Sequence, residues 1–288
     1  MPDDSLPFDR TRESALSRRA LGALSFGVGA AAAASALAAG SVVETDVVIK
    51  TADGNCDAAL FHPLGDGKWP GAVIFTDALG LRPSFRDMGR RLALEGYTVL
   101  IPNPFYRTRV APVLSGPFDF SKPEDRAKLT DLMAPLTTEA KVRDGTAYIS
   151  YLDTVPQVNP KAPIGVSGYC MGGPYTMLIA AAVAERVGAA GSFHGGNLVT
   201  DKPDSPHLLA PKIKANYYFA IATNDDQRQP DAKDKLRESF EAAHHPVRIE
   251  VYDGCMHGWC VSDGMVFNRT GADRAWSELT ALYKKSLV

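Results

Sequence analysis

Pro163-Ile-Gly-Val-Ser-Gly-Tyr-Cys-Met-Gly-Gly173 places an apolar run directly before a glycine-rich turn. The run predicts a buried strand over Pro163–Ser167, and the residues after the turn predict a helix over Pro174–Arg186. Glycines two positions before and two positions after Cys170 leave room for a sharp turn. The stretch therefore predicts a strand, an exposed cysteine above the sheet edge and a helix in immediate succession.

This strand–turn–helix has the pattern of the nucleophile elbow of α/β-hydrolases, with cysteine in the place where serine is usual. The Met171 N–H at the start of the new helix is expected to point to where an oxyanion forms. Free cysteine also packs readily into protein cores. A catalytic interpretation of Cys170 therefore needs a base and an acid elsewhere in the chain.

The remainder of the chain predicts one large α/β domain. It has 288 residues, of which 45% are hydrophobic, enough for a single core without disulfides. Apolar runs alternate with helical stretches, which favours a mostly parallel central sheet flanked by helices on both faces. The predicted strands are Thr45–Thr51, Asp57–His62, Gly71–Thr76, Thr98–Pro102, Pro163–Ser167, Gly188–Phe193, Asn216–Ala222 and Val247–Tyr252. The other predicted helices are Arg86–Glu95, Glu139–Leu152, Ala232–Ala243 and Asp273–Lys284.

Two connecting segments also carry predictions. The first two strands are expected to form a hairpin through Ala52-Asp53-Gly54. The segment 109–136 begins irregularly and is expected to run over the rim of the active site.

Charge excludes some classes of partner. The formal net charge is -2, from Lys+Arg 31 and Asp+Glu 33. This balance gives no indication of binding to nucleic acid or to an anionic membrane surface. A small-molecule substrate is the expected partner.

The first 39 residues have the features of an export signal. Arg18-Arg19 precedes an apolar stretch over Leu21–Leu37, and Ala36-Leu37-Ala38 offers small residues for cleavage. This order is typical of a twin-arginine (Tat) signal. A membrane anchor or a cytosolic helix is the alternative, but the stretch is short and weakly apolar for a span. Residues 40–288 are then the enzyme domain. We expect a periplasmic protein with transient contact to the export machinery and no stable membrane association after cleavage.

An elbow nucleophile needs a histidine base and a carboxylate that orients it, in the chain order nucleophile, acid, histidine. The predicted strand ending at Ala222 is followed by Asp225 and Asp226, and the next strand is followed by His257 on a glycine-flanked loop. His194 also follows a strand, but it precedes the acid and so breaks the order. The residues alone leave Asp225 and Asp226 open as the acid.

These motifs together resemble the dienelactone hydrolase family. The resemblance rests on the elbow hexapeptide, on the Asp226-x-x-x-Pro230 spacing and on His257-Gly258, and extends from about residue 45 to the end. It implies hydrolysis of an ester or lactone through a Cys170–His257–Asp226 triad and a thioester intermediate. It also implies that no metal and no organic cofactor are needed.

The resemblance implies further site residues. Asp77 occupies the place of the family's acidic residue that contacts the resting cysteine and helps to generate the thiolate. Ala78 would supply a second oxyanion-hole N–H beside that of Met171, and Arg107 would hold a substrate carboxylate. One departure is Val261, which stands where the family has a second substrate arginine. This departure argues that the substrate is not the usual small dienelactone, or that it is held differently.

Two alternative functions are also compatible with the sequence. Cys255-x-His257-x-x-Cys260 gathers soft ligands suited to zinc or Cu(I), although no second ligand pair follows at zinc-finger spacing. A non-catalytic hydrolase scaffold used for binding is the other alternative, since fold alone does not establish activity. A disulfide between Cys255 and Cys260 is a separate hypothesis, which would fix the loop that carries His257.

Overall fold

The computed structural model describes residues 41–114, 116 and 118–288. The predicted signal over residues 1–39 lies outside the described residues. The strands are β1 (Val42–Thr51), β2 (Gly54–Pro63), β3 (Gly71–Phe75), β4 (Thr98–Pro102), β5 (Ile164–Tyr169), β6 (Val187–Phe193), β7 (Asn216–Ala222) and β8 (Val247–Tyr252). The α-helices are α1 (Pro83–Leu94), α2 (Pro123–Met133), α3 (Thr138–Leu152), α4 (Gly173–Ala182), α5 (Thr223–Arg228), α6 (Ala232–Ala242) and α7 (Arg269–Leu287).

The strands form one eight-stranded sheet in the order β1-β2-β4-β3-β5-β6-β7-β8. The β1–β2 and β2–β4 pairs are antiparallel, and all pairs from β4 to β8 are parallel. The predicted α/β fold with a mostly parallel sheet is therefore confirmed. The carboxyl ends of β3, β5, β7 and β8 meet at one edge of the sheet, where a ligand site is expected in an open α/β fold.

The core lies in two layers, one on each face of the sheet. Strands β3, β4 and β5 are buried along their whole length, as expected of central strands covered on both faces. Phe85 of α1 and Tyr283 of α7 pack on one face, whereas Tyr148 of α3 and Phe240 of α6 pack on the other. Helices on both faces hold the sheet edge rigid, and this edge carries the candidate site.

The connecting segments differ from the sequence predictions in places. The β1–β2 hairpin pairs Thr51 with Gly54 as predicted. The rim segment contains the helix α2, and Leu129 and Leu132 of this helix pack with Ala78 and Phe105 in a small apolar cluster. No helix of the described part of the chain is long and apolar enough to cross a membrane.

Candidate active site

Cys170 occupies the turn between β5 and α4, as the sequence predicts. Its φ of 54° lies in the left-handed region, which a residue other than glycine rarely adopts and which is associated with functional sites. The turn depends on two glycines. A Cβ on Gly168 would lie 2.0 Å from the Gly172 carbonyl oxygen, and a Cβ on Gly172 would lie 2.3 Å from the Phe75 carbonyl oxygen. Both approaches exclude any side chain.

The close approach of Gly172 to the end of β3 also brings two candidate oxyanion donors to one place. The loop after β3 carries Ala78, and the elbow carries Met171. Both residues line the same cavity as Cys170. The structure therefore places the two predicted oxyanion-hole residues around the predicted nucleophile.

His257 lies between the cysteine and an aspartate. Its Nδ1 is 2.6 Å from Oδ2 of Asp225, and its side chain lines the cavity of Cys170. The backbone holds this loop in place, because the His257 N–H donates to Oδ1 of Asn224 at 2.8 Å and the Thr223 N–H donates to the Cys255 carbonyl at 2.9 Å. The start of α5 and the histidine loop thus form one hydrogen-bonded unit.

The prediction of Asp226 as the triad acid was wrong, because the residue at the histidine is Asp225. Helix α5 begins at Thr223, immediately after β7, and successive residues of a helix point about 100° apart. Asp225 therefore faces His257, whereas Asp226 faces α6 and forms an ion pair with Lys233 at 2.6 Å. Alignment to the family's Asp-x-x-x-Pro spacing could not detect this one-residue difference.

The electrostatics of the site favour a charged imidazolium. Burial lowers the pKa of His257. The hydrogen bond to Asp225 raises this pKa, and so does the Cys170 side chain, which lies within hydrogen-bonding reach of the ring. The two raising effects outweigh the effect of burial. Together they raise the pKa of His257 from 6.5 to about 10. The carboxylate on one side and the sulfur on the other therefore favour the imidazolium form, in which both ring nitrogens are donors.

His194 does not compete for the role of the base. It is 1% exposed, and its ring packs edge-on against the rings of His257 and Trp259. Both of its ring nitrogens are buried without a hydrogen-bond partner in the described part of the chain. Burial and the charge of His257 hold the pKa of His194 well below its usual value. His194 is thus a neutral packing partner of the site histidine.

Two cavities meet at Cys170 and His257. The apolar cavity, of about 430 Å³, is bordered by Leu79, Phe118, Phe120, Val261, Met265 and Val266. The second cavity, of about 530 Å³, is bordered by polar side chains, namely Thr138, Lys141, Asn197, Thr200, Lys202 and Asp204, and also by Met133, Pro174, Leu178 and Pro206. We call it the polar cavity, because it is the more polar of the two. A substrate carbonyl at Cys170 would therefore have a more apolar environment on one side than on the other.

Asp77 lines the apolar cavity together with Cys170, but its carboxylate is engaged elsewhere. Arg82 donates to both of its oxygens, at 2.6 and 2.8 Å, and the Leu79 N–H donates to Oδ1 at 2.9 Å. Arg82 also binds Asp263. The predicted contact of Asp77 with the cysteine is therefore replaced by an ion pair. This ion pair could not be predicted from the sequence, because the partners are five residues apart across the turn before α1.

Arg107 does not reach either cavity, which corrects its assignment as the substrate arginine. Its guanidinium binds both oxygens of Asp144 at 2.7 and 2.8 Å and Oδ2 of Asp53 at 2.5 Å. The Tyr106 hydroxyl donates to the same Asp144 carboxylate at 2.8 Å. We call these four residues the Arg107 cluster. The side chains of Arg107 and Asp144 are 13% and 4% exposed, so the cluster is closed to a substrate.

The candidate metal site does not assemble. Within residues 41–114, 116 and 118–288, no group of three or more His, Cys, Asp or Glu side chains is close enough to hold a metal ion. Cys255 and Cys260 are both free thiols, so the hypothesised disulfide is not formed in this structure.

Comparison with known proteins agrees with this geometry. The chain matches the Dienelactone hydrolase family over residues 56–287. A protein of Synechocystis named "Putative carboxymethylenebutenolidase" is 25% identical over 232 residues, which cover 79% of this chain and 91% of that protein. A protein of Methylorubrum extorquens with the same name is 27% identical over 95% of this chain and 94% of its own.

A solved structure extends the comparison to the fold. The crystal structure titled as a putative dienelactone hydrolase from Klebsiella pneumoniae superposes with a TM-score of 0.74 at 20% identity, over 85% of this chain and 99% of that one. The elbow, the sheet and the match over residues 56–287 lead to one conclusion: this chain is a hydrolase that belongs to the dienelactone hydrolase family.

Proposed function

We propose that the protein hydrolyses a carboxylic ester or lactone, of the kind attacked by carboxymethylenebutenolidases, through Cys170, His257 and Asp225. The observation that carries the proposal is the contact of His257 with Asp225 at 2.6 Å, made at the cavity into which the elbow projects Cys170. Nucleophile, acid and histidine also follow each other in the chain order of this fold.

In the first half of the reaction, the Cys170 sulfur attacks the carbonyl carbon as a thiolate that is stabilised by the protonated His257. The carbonyl oxygen becomes an oxyanion, which the N–H groups of Met171 and Ala78 would stabilise. Such donors contribute about 3 kcal/mol each. The intermediate collapses as the carbon–oxygen bond breaks, and His257 gives its proton to the leaving alkoxide. A thioester on Cys170 remains.

In the second half, His257 is neutral and accepts a proton from a water molecule that attacks the thioester carbonyl. The second tetrahedral intermediate uses the same oxyanion donors. Its collapse breaks the carbon–sulfur bond and returns the thiolate beside a protonated histidine. Asp225 stabilises the imidazolium at the start and the end of this cycle, and it keeps the ring in the tautomer that can accept the proton at the sulfur-facing nitrogen.

The test uses Cys170→Ala and Cys170→Ser against a panel of p-nitrophenyl esters and lactones. Cys260→Ala is the matched control, because Cys260 is a half-buried thiol that lines a different cavity and burial raises its pKa. We expect turnover in the control and loss of turnover in Cys170→Ala. Full turnover by folded Cys170→Ala, with folding checked by circular dichroism, would refute the assigned nucleophile.

We also propose that the protein is exported by the Tat route. The support is the Arg18-Arg19 pair before the apolar stretch in the sequence. Fractionation of cells that express the full chain, with Arg18-Arg19 replaced by Lys-Lys as the control, tests the route. Export that is indifferent to this replacement would contradict it.

A further inference from the structure

Lys141 is a cation at the active site without a counter-ion. It lies in the first turns of α3 and lines the polar cavity together with Cys170 and Met171. Its ammonium group makes no ion pair or hydrogen bond within the described residues, and the ring it faces is that of Tyr175, with Nζ 5.2 Å from the centroid. Burial lowers the pKa of Lys141.

The local environment is unfavourable for an unpaired positive charge. A helix N-terminus carries a partial positive charge, so a cation in its first turns is destabilised rather than stabilised. Neither of the described carboxylates near this end of the cavity pairs with Lys141. Glu139 interacts with its own backbone N–H, with Thr137 and with Arg143. Asp204 lines the same cavity but is exposed, and it accepts a long hydrogen bond from Thr138 at 3.4 Å.

The other cations around the two cavities are paired or exposed. Arg82 is held between Asp77 and Asp263. Arg228 is largely exposed and lies 3.7 Å from Asp225. Lys202 is exposed at the mouth of the polar cavity. Among the described cations that line the two cavities, Lys141 is therefore the one that is partly buried and has no carboxylate partner.

We propose that Lys141 determines substrate specificity by binding a carboxylate of the substrate in the polar cavity. The substrate would then be an ester with an anionic group on the Lys141 side of the carbonyl and an uncharged portion in the apolar cavity. An anion there would supply the missing counter-ion, and its bond to the ammonium would be charge-assisted and strong. This inference rests on the proposed function, because it takes Cys170 as the point of attack.

The first experiment compares two matched pairs of substrates. The first pair, mono-4-nitrophenyl glutarate and 4-nitrophenyl valerate, places the charge on the acyl side. The second pair, 4-acetoxybenzoate and phenyl acetate, places it on the alcohol side. We expect wild type to prefer the anionic member of at least one pair. In that pair, Lys141→Met should reduce the preference in kcat/KM by about 10- to 100-fold, mainly through KM.

Two controls separate recognition from structure. Lys202→Met removes the same charge from the exposed mouth of the same cavity and should change the preference by less than about twofold. Lys141→Arg keeps the charge and should retain part of the preference. Because Lys141 has no partner in the free protein, Lys141→Met should also raise the melting temperature, which a structural role of this lysine would not predict.

Binding can be measured without turnover. Calorimetry should show that glutarate binds to Cys170→Ala and that this binding is lost in the double variant Cys170→Ala/Lys141→Met. If Cys170→Ala still hydrolyses esters while glutarate binds through Lys141, the proposed nucleophile fails and the anion site stands. The inference about Lys141 is overturned if wild type shows no anionic preference, if Lys141→Met affects both members of each pair equally, or if Lys202→Met has the same effect.

Discussion

Two charged clusters at the carboxyl edge of the sheet differ in whether they border a cavity. In the proposed catalytic cluster, which consists of Cys170, His257 and Asp225, His257 is bound to Asp225 on one side and faces Cys170 and the two cavities on the other. In the Arg107 cluster, the guanidinium has ion-pair partners on both sides and borders neither cavity. The Cys170 sulfur of the first cluster borders both cavities, whereas the charges of the second are satisfied within the protein.

This difference shows why position in the sequence is not enough to assign a binding residue. Arg107 follows a strand at the place where related enzymes hold a substrate carboxylate, yet Asp144 and Asp53 already neutralise it. A residue can bind a ligand only if its charge remains available. By this criterion we propose that the cluster of Cys170, His257 and Asp225 governs activity and that the Arg107 cluster governs stability, and the following variants test that separation.

The largest expected effect is on activity, from the two adjacent aspartates. Asp225→Asn removes the carboxylate that stabilises the imidazolium and should reduce kcat/KM by about 10²- to 10⁴-fold. Asp226→Asn removes the same charge one residue away, where it pairs with Lys233, and should remain within about twofold of wild type. Steady-state kinetics on one neutral ester would decide between them. A larger loss of kcat/KM in Asp226→Asn than in Asp225→Asn would restore Asp226 as the acid.

The next effect is on stability, from the Arg107 cluster. Arg107→Met leaves the Asp144 carboxylate buried without its cation, and removal of one partner of a buried ion pair costs about 3–5 kcal/mol of unfolding free energy. We expect kcat/KM of the folded variant to stay close to wild type. Urea denaturation measures the unfolding free energy, and steady-state kinetics measures kcat/KM.

The matched control for this variant is Arg143→Met. Arg143 binds Asp53 from an exposed position, and exposed pairs contribute about 0–1 kcal/mol. A large rise of KM in Arg107→Met, without loss of stability, would instead make Arg107 a substrate residue and break the distinction between the clusters.

A smaller effect concerns pH. The pKa of His257 is raised from 6.5 in the unfolded chain to about 10 in the folded protein, so its protonated form stabilises the fold. This contribution is complete below about pH 6.5 and is lost as the pH rises through about 10. The unfolding free energy of wild type should therefore fall more steeply over this range than that of His257→Gln. Equal slopes in the two proteins would contradict the shift.

Much of the fold and of the catalytic centre could be predicted from the sequence. The elbow glycines, the strand periodicity and the order of Cys170 and His257 along the chain are local signals, and the structure places these residues as expected. The choice between Asp225 and Asp226 depended on the rotation of α5, which begins directly after β7. The partners of Arg107 and Asp77 depended on which charges meet in space, and sequence spacing does not encode that.

The helix in the rim segment could not be predicted from the sequence either. Helix α2 has a weak apolar pattern and is stabilised by packing of Leu129 and Leu132 against the loop of Ala78. Lys141 has no distinctive sequence pattern, because an isolated lysine near a helix start is usually a solvated residue. Its lack of a carboxylate partner depends on which side chains meet in the polar cavity.

We infer that Asp225 and Cys170 together favour the imidazolium form of His257. An NMR titration of the His257 ring in wild type, Asp225→Asn and Asp226→Asn tests this inference. We expect a pKa of about 10 in wild type, a much lower pKa in Asp225→Asn and an unchanged pKa in Asp226→Asn. A wild-type pKa near 6.5, or a drop in Asp226→Asn alone, would contradict it.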